Sequence, residues 1–411
     1  MIDTIKIKAP KKEFKARINL TASKSESNRV LLIQALCKQH FTVSNIAIAK
    51  DTETMIRLLQ QEGCVKDVGP AGTTMRFLTA FYANKKGTWL MTGSERMKNR
   101  PIHILVDALK QLGAEIEYTE KQGCPPLKIN GKQLNGGTID IDGSVSSQFL
   151  SALIMIAPML SGGLKMNLTG KITSVPYLNM TLKLIEHFGA KYTWENNQIT
   201  IEEGEYKAQD FTVEADWSAA SYWYQIVALS QNAQIEVMGL KNHSLQGDKA
   251  IVEIYENFGV QTKFIEGGVR LTKLENYVYP AFFNYDFSNC PDVAQTVSAT
   301  VAALKIHSKF KGLESLRIKE TDRIVAIQSE LGKFGVDVKI LPDDEIEILP
   351  SKFKIPKQTI KTFDDHRVAM SIAPLALMLD DAFEIEEPEV VEKSYPDFWN
   401  DLKYIGFITE Q

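Results

Sequence analysis

Cysteine is scarce and scattered. The four in the chain, Cys37, Cys64, Cys124 and Cys290, form no C-x-x-C pair and no matched spacing, so neither a zinc site nor a disulfide framework is indicated. The six histidines are equally dispersed, and no metal dependence is expected. No apolar run is long enough to span a bilayer, and the first twenty residues, MIDTIKIKAPKKEFKARINL, are interrupted by charge every few positions. A membrane span and a signal-peptide core are thereby excluded, which points to the cytoplasm. An excess of positive charge is missing as well: the formal net charge is −4, unlike a protein that covers nucleic-acid phosphates with a basic face. Any anion site must be local. No Pro/Gly/Ser-rich linker marks a boundary, yet 411 residues exceed one ordinary core and suggest two domains of about 200 residues each.

One unit recurs along the chain: an amphipathic helix, a glycine stop, then a short strand. Its glycines are Gly63, Gly113, Gly189, Gly259, Gly335 and Gly406, at intervals of 50 to 76 residues. Each suits the left-handed residue just past a helix end, and the alternation behind it supplies the strand. Six such units make an internally repeated α/β protein, three units to a domain.

The chemistry-bearing stretches are helix starts. Ser23-Lys24-Ser25-Glu26-Ser27-Asn28-Arg29 leads into an apolar run and fits the S-x-x-E capping box. Lys24 and Arg29 oppose the helix dipole there, by a few tenths of a kcal/mol each, unless an anion absorbs the charge. Gly69 to Arg76 forms a glycine-bearing turn before Phe77-Leu78-Thr79-Ala80, without the G-K-[ST] ending of a Walker loop. Arg96, Lys98 and Arg100 put three cations into five positions ahead of Pro101, which can start a helix. Ser146-Ser147-Gln148 offers hydroxyl and amide groups, of which simple capping uses one. Pro291 fits a first helical position and Asp292 the next, where an acid stays ionised and available as a base. Arg317, Lys319, Glu320, Asp322 and Arg323 crowd another helix start, Asp364-Asp365-His366-Arg367 repeats the theme, and Lys393-Ser394-Tyr395-Pro396-Asp397 precedes the last helix. Together these wrong-sign cations suit a small ligand with several negative charges.

The motifs SKSESNR, AGTTMR, RMKNRPI, SSQFLSAL, SVPYLNMTL, EADWSAASYW, QGDKA, PDVAQT, IKETDRI, DDHRVAM and KSYPDFW resemble, in order and over nearly the whole chain, those of the 5-enolpyruvylshikimate-3-phosphate (EPSP) synthases, the 3-phosphoshikimate 1-carboxyvinyltransferases. The resemblance implies a two-domain inside-out α/β barrel, each domain three βαβαββ repeats, closing over its substrates. By analogy residues 22–212 form the N-terminal domain, and 1–21 with 213–411 the C-terminal one. It implies transfer of the enolpyruvyl group of phosphoenolpyruvate to the 5-hydroxyl of shikimate 3-phosphate, by a monomer with no cofactor or metal. Carried over by motif, Lys24, Ser25, Arg29, Ser146, Ser147, Gln148, Ser174, Asp292 and Lys319 hold shikimate 3-phosphate. Lys24, Gly72, Arg96, Gln148, Arg323, Arg367 and Lys393 hold phosphoenolpyruvate. Asp292 takes the hydroxyl proton, Glu320 protonates the methylene carbon, and Lys24 touches both substrates. Ala22, Pro70 and Ser315 depart from the common pattern. The sister UDP-N-acetylglucosamine enolpyruvyl transferases usually carry a cysteine in the loop holding Gly93-Ser94-Glu95-Arg96, and none lies between Cys64 and Cys124. A silent anion-binding module on the same fold has no use for two acids among the cations.

Overall fold

Twelve α-helices in the described residues alternate between two kinds. The odd members, α1 (Lys24–Leu36), α3 (Gly72–Ala83), α5 (Ser147–Ile156), α7 (Trp217–Leu229), α9 (Ala294–Leu304) and α11 (His366–Ile372), are buried over most of their length. The even members, α2 (Lys50–Gln60), α4 (His103–Gln111), α6 (Val175–His187), α8 (Ile251–Glu256), α10 (Arg323–Lys333) and α12 (Phe398–Tyr404), bury one stripe. Composition explains the alternation. The segments SQFLSALIMI, WSAASYWYQIVAL and AQTVSATVAAL contain no charged residue, and a helix without a polar face is stable only when surrounded. KDTETMIRLLQ and HILVDALKQ have both faces and stay at the periphery. The computed structural model describes residues 3–10, 13–144, 146–170, 172 and 174–410.

Four four-stranded sheets share one strand order. In each, the first two strands run parallel and the other two add antiparallel, the last-made strand lying inside the third. They are Val65–Asp67, Gly87–Thr92, Leu127–Gly131, Glu115–Tyr118; Asn135–Asp142, Ser161–Thr169, Gln198–Ile201, Tyr192–Glu195; Glu13–Asn19, Asn232–Met238, Gly268–Lys273, Val260–Ile265; and Phe282–Asp286, His307–Lys311, Ile346–Leu349, Asp337–Ile340. A fifth, three-stranded sheet places Thr4–Lys8 between Phe383–Glu386 and Ile408–Glu410, both antiparallel to it.

All six repeat glycines have positive φ, from 73° to 99°, a conformation open to glycine at little cost. Five of them lead into the third-made strand of their sheet. Gly63 differs: the strand behind it, Val65–Asp67, opens the next sheet. Its own unit is reduced to the two-stranded parallel pair Val43–Ser44 with Phe211–Thr212.

The chain divides into two compact units, Ser23–Val213 and Met1–Ala22 together with Glu214–Gln411. The N-terminal residues belong with the second because Glu13–Asn19 runs parallel to Asn232–Met238 and Thr4–Lys8 completes the fifth sheet. No helix among the described residues is long and apolar enough to cross a membrane. In both units the motif residues gather at helix N-termini, where backbone amides point outward and favour negative charge.

Candidate active site

In the unit Ser23–Val213 the site begins at α1. Ser23 caps the helix, its Oγ accepting from the Glu26 amide at 3.4 Å, as the S-x-x-E pattern predicts. Lys24 heads the helix with its Nζ 3.2 Å from Asp51 Oδ2 at the start of α2. The sequence reading left Lys24 to be balanced by a ligand; Asp51 already balances part of that charge. The α3 start is tied to α2 by the Thr74 hydroxyl donating to the Asp51 carbonyl, and to α5 by Gln148 Nε2 donating to Thr73 Oγ1 at 3.1 Å. Ser146 caps α5 through the Gln148 amide, and Ser147 is buried beside it.

Arg29 is buried, its guanidinium donating to Thr181 Oγ1 (2.7 Å), the Ser25 carbonyl (2.9 Å) and Ser151 Oγ (3.1 Å), over the rings of Phe77 and Tyr177. Every one of those acceptors is neutral, and burial pushes the guanidinium down to about 10. The Glu26 carboxylate opposes that effect only in part, so the desolvated cation retains attraction for an anion. Ser174 precedes α6 in a left-handed conformation, φ 53°, with no side-chain capping bond. For a non-glycine residue this is strain of the kind that collects at binding sites.

Gly72 packs against two arginines. A Cβ there would lie 2.6 Å from Arg76 Nη1 and 2.7 Å from Arg100 Nη1, so only glycine lets both guanidiniums approach the α3 backbone. Arg96, the arginine expected here, is exposed. The turn Met97–Asn99 carries the chain round so that Arg100, four residues on, is the one delivered to Gly72. The sequence placed both in one basic run, and the family motif singled out Arg96 alone.

In the other unit the cations are fixed by carboxylates. Arg323, at the start of α10, has a 2% exposed side chain. Its Nε and Nη2 donate to Asp365 (2.7 and 3.2 Å), its Nη1 to Asp292 (3.0 Å) and its Nη2 also to Glu320 (2.9 Å). Burial alone would lower its basicity, but Asp365, Glu320 and Asp292 outweigh it and hold the group firmly charged. Asp292 also faces Lys319 Nζ at 3.4 Å and, through Oδ2, Arg367 Nη2 at 3.2 Å. It sits in the one-turn helix Pro291–Val293, just ahead of α9 rather than inside it. Asp365 caps α11 by accepting from the Arg367 amide, and Lys393 Nζ donates to the Asp364 carbonyl at 2.6 Å. Lys319, Arg323 and Arg367 thus face Asp292, Glu320 and Asp365, so this cluster is close to neutral. Asp365 and Asp51 are the members the motifs did not single out, although Asp365 stands at a capping position.

Two carboxylates gripped by three cations make a group that can take one proton and deliver another. Ser23–Val213, taken by itself, offers hydroxyls, an amide and guanidiniums suited to phosphate and carboxylate. The family model described as "EPSP synthase (3-phosphoshikimate 1-carboxyvinyltransferase)" matches residues 8–63 and 58–402. The chain belongs to the EPSP synthase family. A 3-phosphoshikimate 1-carboxyvinyltransferase of Bacteroides fragilis (strain YCH46) is 48% identical over 400 residues, covering 96% of each chain. An EPSP synthase family relative of the same name from Vibrio vulnificus (strain YJ016) is 34% identical over 424 residues, covering 96% of this chain and 97% of its own. The fold matches that of EPSP synthase from Acinetobacter baumannii, with a TM-score of 0.78 at 21% identity over 99% of this chain and 100% of the other.

Proposed function

We propose that the chain transfers the enolpyruvyl group of phosphoenolpyruvate to the 5-hydroxyl of shikimate 3-phosphate, releasing phosphate. The observation that carries this reading is the pair Asp292 and Glu320, both on Arg323, within a chain of this family. Asp292 accepts the proton of the attacking hydroxyl while Glu320 gives one to the methylene carbon, and a new C–O bond joins the two substrates. Glu320 then takes the methylene proton back as the bond to phosphate breaks. The steps are proton transfers and need no redox partner. Arg323, Arg367 and Lys393 hold the phosphate as it gathers charge. Arg323 reaches an anion only by exchanging a carboxylate for it, which leaves Glu320 free to move its proton.

Ser23–Val213 supplies shikimate 3-phosphate binding through Lys24, Ser25, Arg29, Ser146, Ser147, Gln148 and Ser174, with Lys319 and Asp292 from the other unit. For phosphoenolpyruvate, Lys24, Gly72, Arg96 and Gln148 act together, and Arg100 beside Gly72 adds a further cation. The protein works as a monomer in the cytoplasm, which light scattering on the purified chain checks for oligomeric state.

Phosphate release is measured with phosphoenolpyruvate and shikimate 3-phosphate, and with UDP-N-acetylglucosamine as competing acceptor. Asp292→Ala and Glu320→Gln each lower turnover by about a hundredfold or more, the usual worth of a general acid or base. Wild-type rates in either variant, or preference for the nucleotide sugar, defeat the reading.

A further inference from the structure

Two motifs remain without a role, EADWSAASYW and QGDKA, and the fold brings one residue of each together. Asp248, in the short turn Gly247–Ala250, is 4% exposed. Its Oδ2 accepts from the hydroxyl of Ser218 in the first turn of α7. Ser218 Oγ in turn accepts from Arg367 Nη2 at 3.4 Å, and the same Nη2 lies 3.2 Å from Asp292 Oδ2. A continuous path therefore runs from Asp248 through Ser218 and Arg367 to Asp292.

We propose that Asp248 is a positioning residue which, through Ser218, fixes the guanidinium of Arg367 and competes with Asp292 for it. The inference rests on the reading of Arg367 and Asp292 given above. The groups facing Asp248 are Asp216 and Ser218 at the α7 start, Arg367 on α11, and Asp292 with Cys290 in the turns before α9. Only Arg367 among them is a cation. Oδ1 of Asp248 is buried with no hydrogen-bond partner among the described residues, so an ionised carboxylate is poorly solvated there. Burial first, then the charge of Asp292, push Asp248 up to about 7, against the pull of Arg367 and Ser218. Near neutrality a proton on Asp248 releases Arg367 to Asp292, and loss of that proton divides the guanidinium between two carboxylates. The hydroxyl of Ser218 keeps the guanidinium at one angle in both states.

The test is steady-state kinetics of the full chain from pH 5 to 9 with Asp248→Asn, Ser218→Ala and Arg367→Lys. Asparagine is isosteric with the protonated acid and keeps that state at every pH, so the step in KM for phosphoenolpyruvate that the wild type shows around pH 7 is absent from Asp248→Asn. The KM for phosphoenolpyruvate rises roughly fivefold in Asp248→Asn and in Ser218→Ala, the worth of one neutral hydrogen bond to a positioned group. A role in packing alone neither removes that step nor moves KM apart from kcat. The same step in Asp248→Asn, or a wild-type KM in Ser218→Ala, overturns the proposal. If Asp248→Asn does not fold, the KM of Ser218→Ala decides. Arg367→Lys separates the two levels: an unchanged KM for phosphoenolpyruvate there removes the site assignment itself, whereas a raised KM beside unaltered Asp248→Asn and Ser218→Ala removes only this inference.

Discussion

Asp365→Asn tests whether the carboxylate under Arg323 holds the cluster together. Asp365 is fully buried, accepts twice from Arg323 and once from the Arg367 amide. Asparagine keeps one acceptor oxygen but loses the charge and turns a donor toward a guanidinium nitrogen. Breaking a buried ion pair costs about 3–5 kcal/mol, and the low end applies because Asp292 and Glu320 still hold Arg323. At about 2–4 °C per kcal/mol for a unit of this size, the transition of the unit containing α10 and α11 falls by roughly 6–12 °C. Calorimetry supplies the midpoint, and hydrogen exchange on α10 and α11 peptides assigns it to that unit, since two units need not unfold together. Lys339→Ala is the control: its partner Glu347 is 3.7 Å away and the lysine itself is exposed, so the pair is worth about 0.5 kcal/mol or less. If Asp365→Asn melts within about 2 °C of that control, the carboxylate does not carry the stability argued for it.

Arg96→Ala and Arg100→Ala each raise the KM for phosphoenolpyruvate roughly tenfold or more, the loss of a charge-assisted hydrogen bond; a KM within about twofold of wild type in either variant removes that arginine from the site. Thiol labelling at pH 8 separates the cysteines: exposed Cys64 reacts first, whereas Cys290, buried and pushed upward by burial and by the charge of Asp248, reacts only after denaturant is added. Fast labelling of Cys290 in the native chain contradicts that burial.

The architecture was legible where the grammar is local. Glycine stops, capping serines at 23 and 146, and uncharged helices each depend on a few neighbouring residues, and five of the six glycine units have the same place in a sheet. Gly63 misled because the strand after it obeys the same local rule yet pairs with the following sheet, and pairing is a long-range choice. In the site, wrong-sign charge at a helix start flagged Lys24, Arg29, Arg323 and Arg367. What it could not tell was which of these the protein neutralises itself: Asp51 lies 27 residues from Lys24 and Asp365 lies 42 from Arg323. Arg96 and Arg100 share one basic run, and only the turn between them decides which points inward.

The strand Glu13–Asn19 has a partner, Asn232–Met238, that lies more than two hundred residues downstream. At 5–20 residues per second on the ribosome, the first strand waits roughly 10–40 s before its neighbour exists. Thr4–Lys8 waits longer, since Phe383–Glu386 and Ile408–Glu410 are made later still. Among the described residues Ser23–Val213 contains its own strand partners, and there only the short strand Val43–Ser44 waits comparably, for Phe211–Thr212. Lys15 and Arg17, alternating with Phe14, Ala16 and Ile18, keep the waiting strand charged on one face, which discourages it from pairing with other chains in the interval.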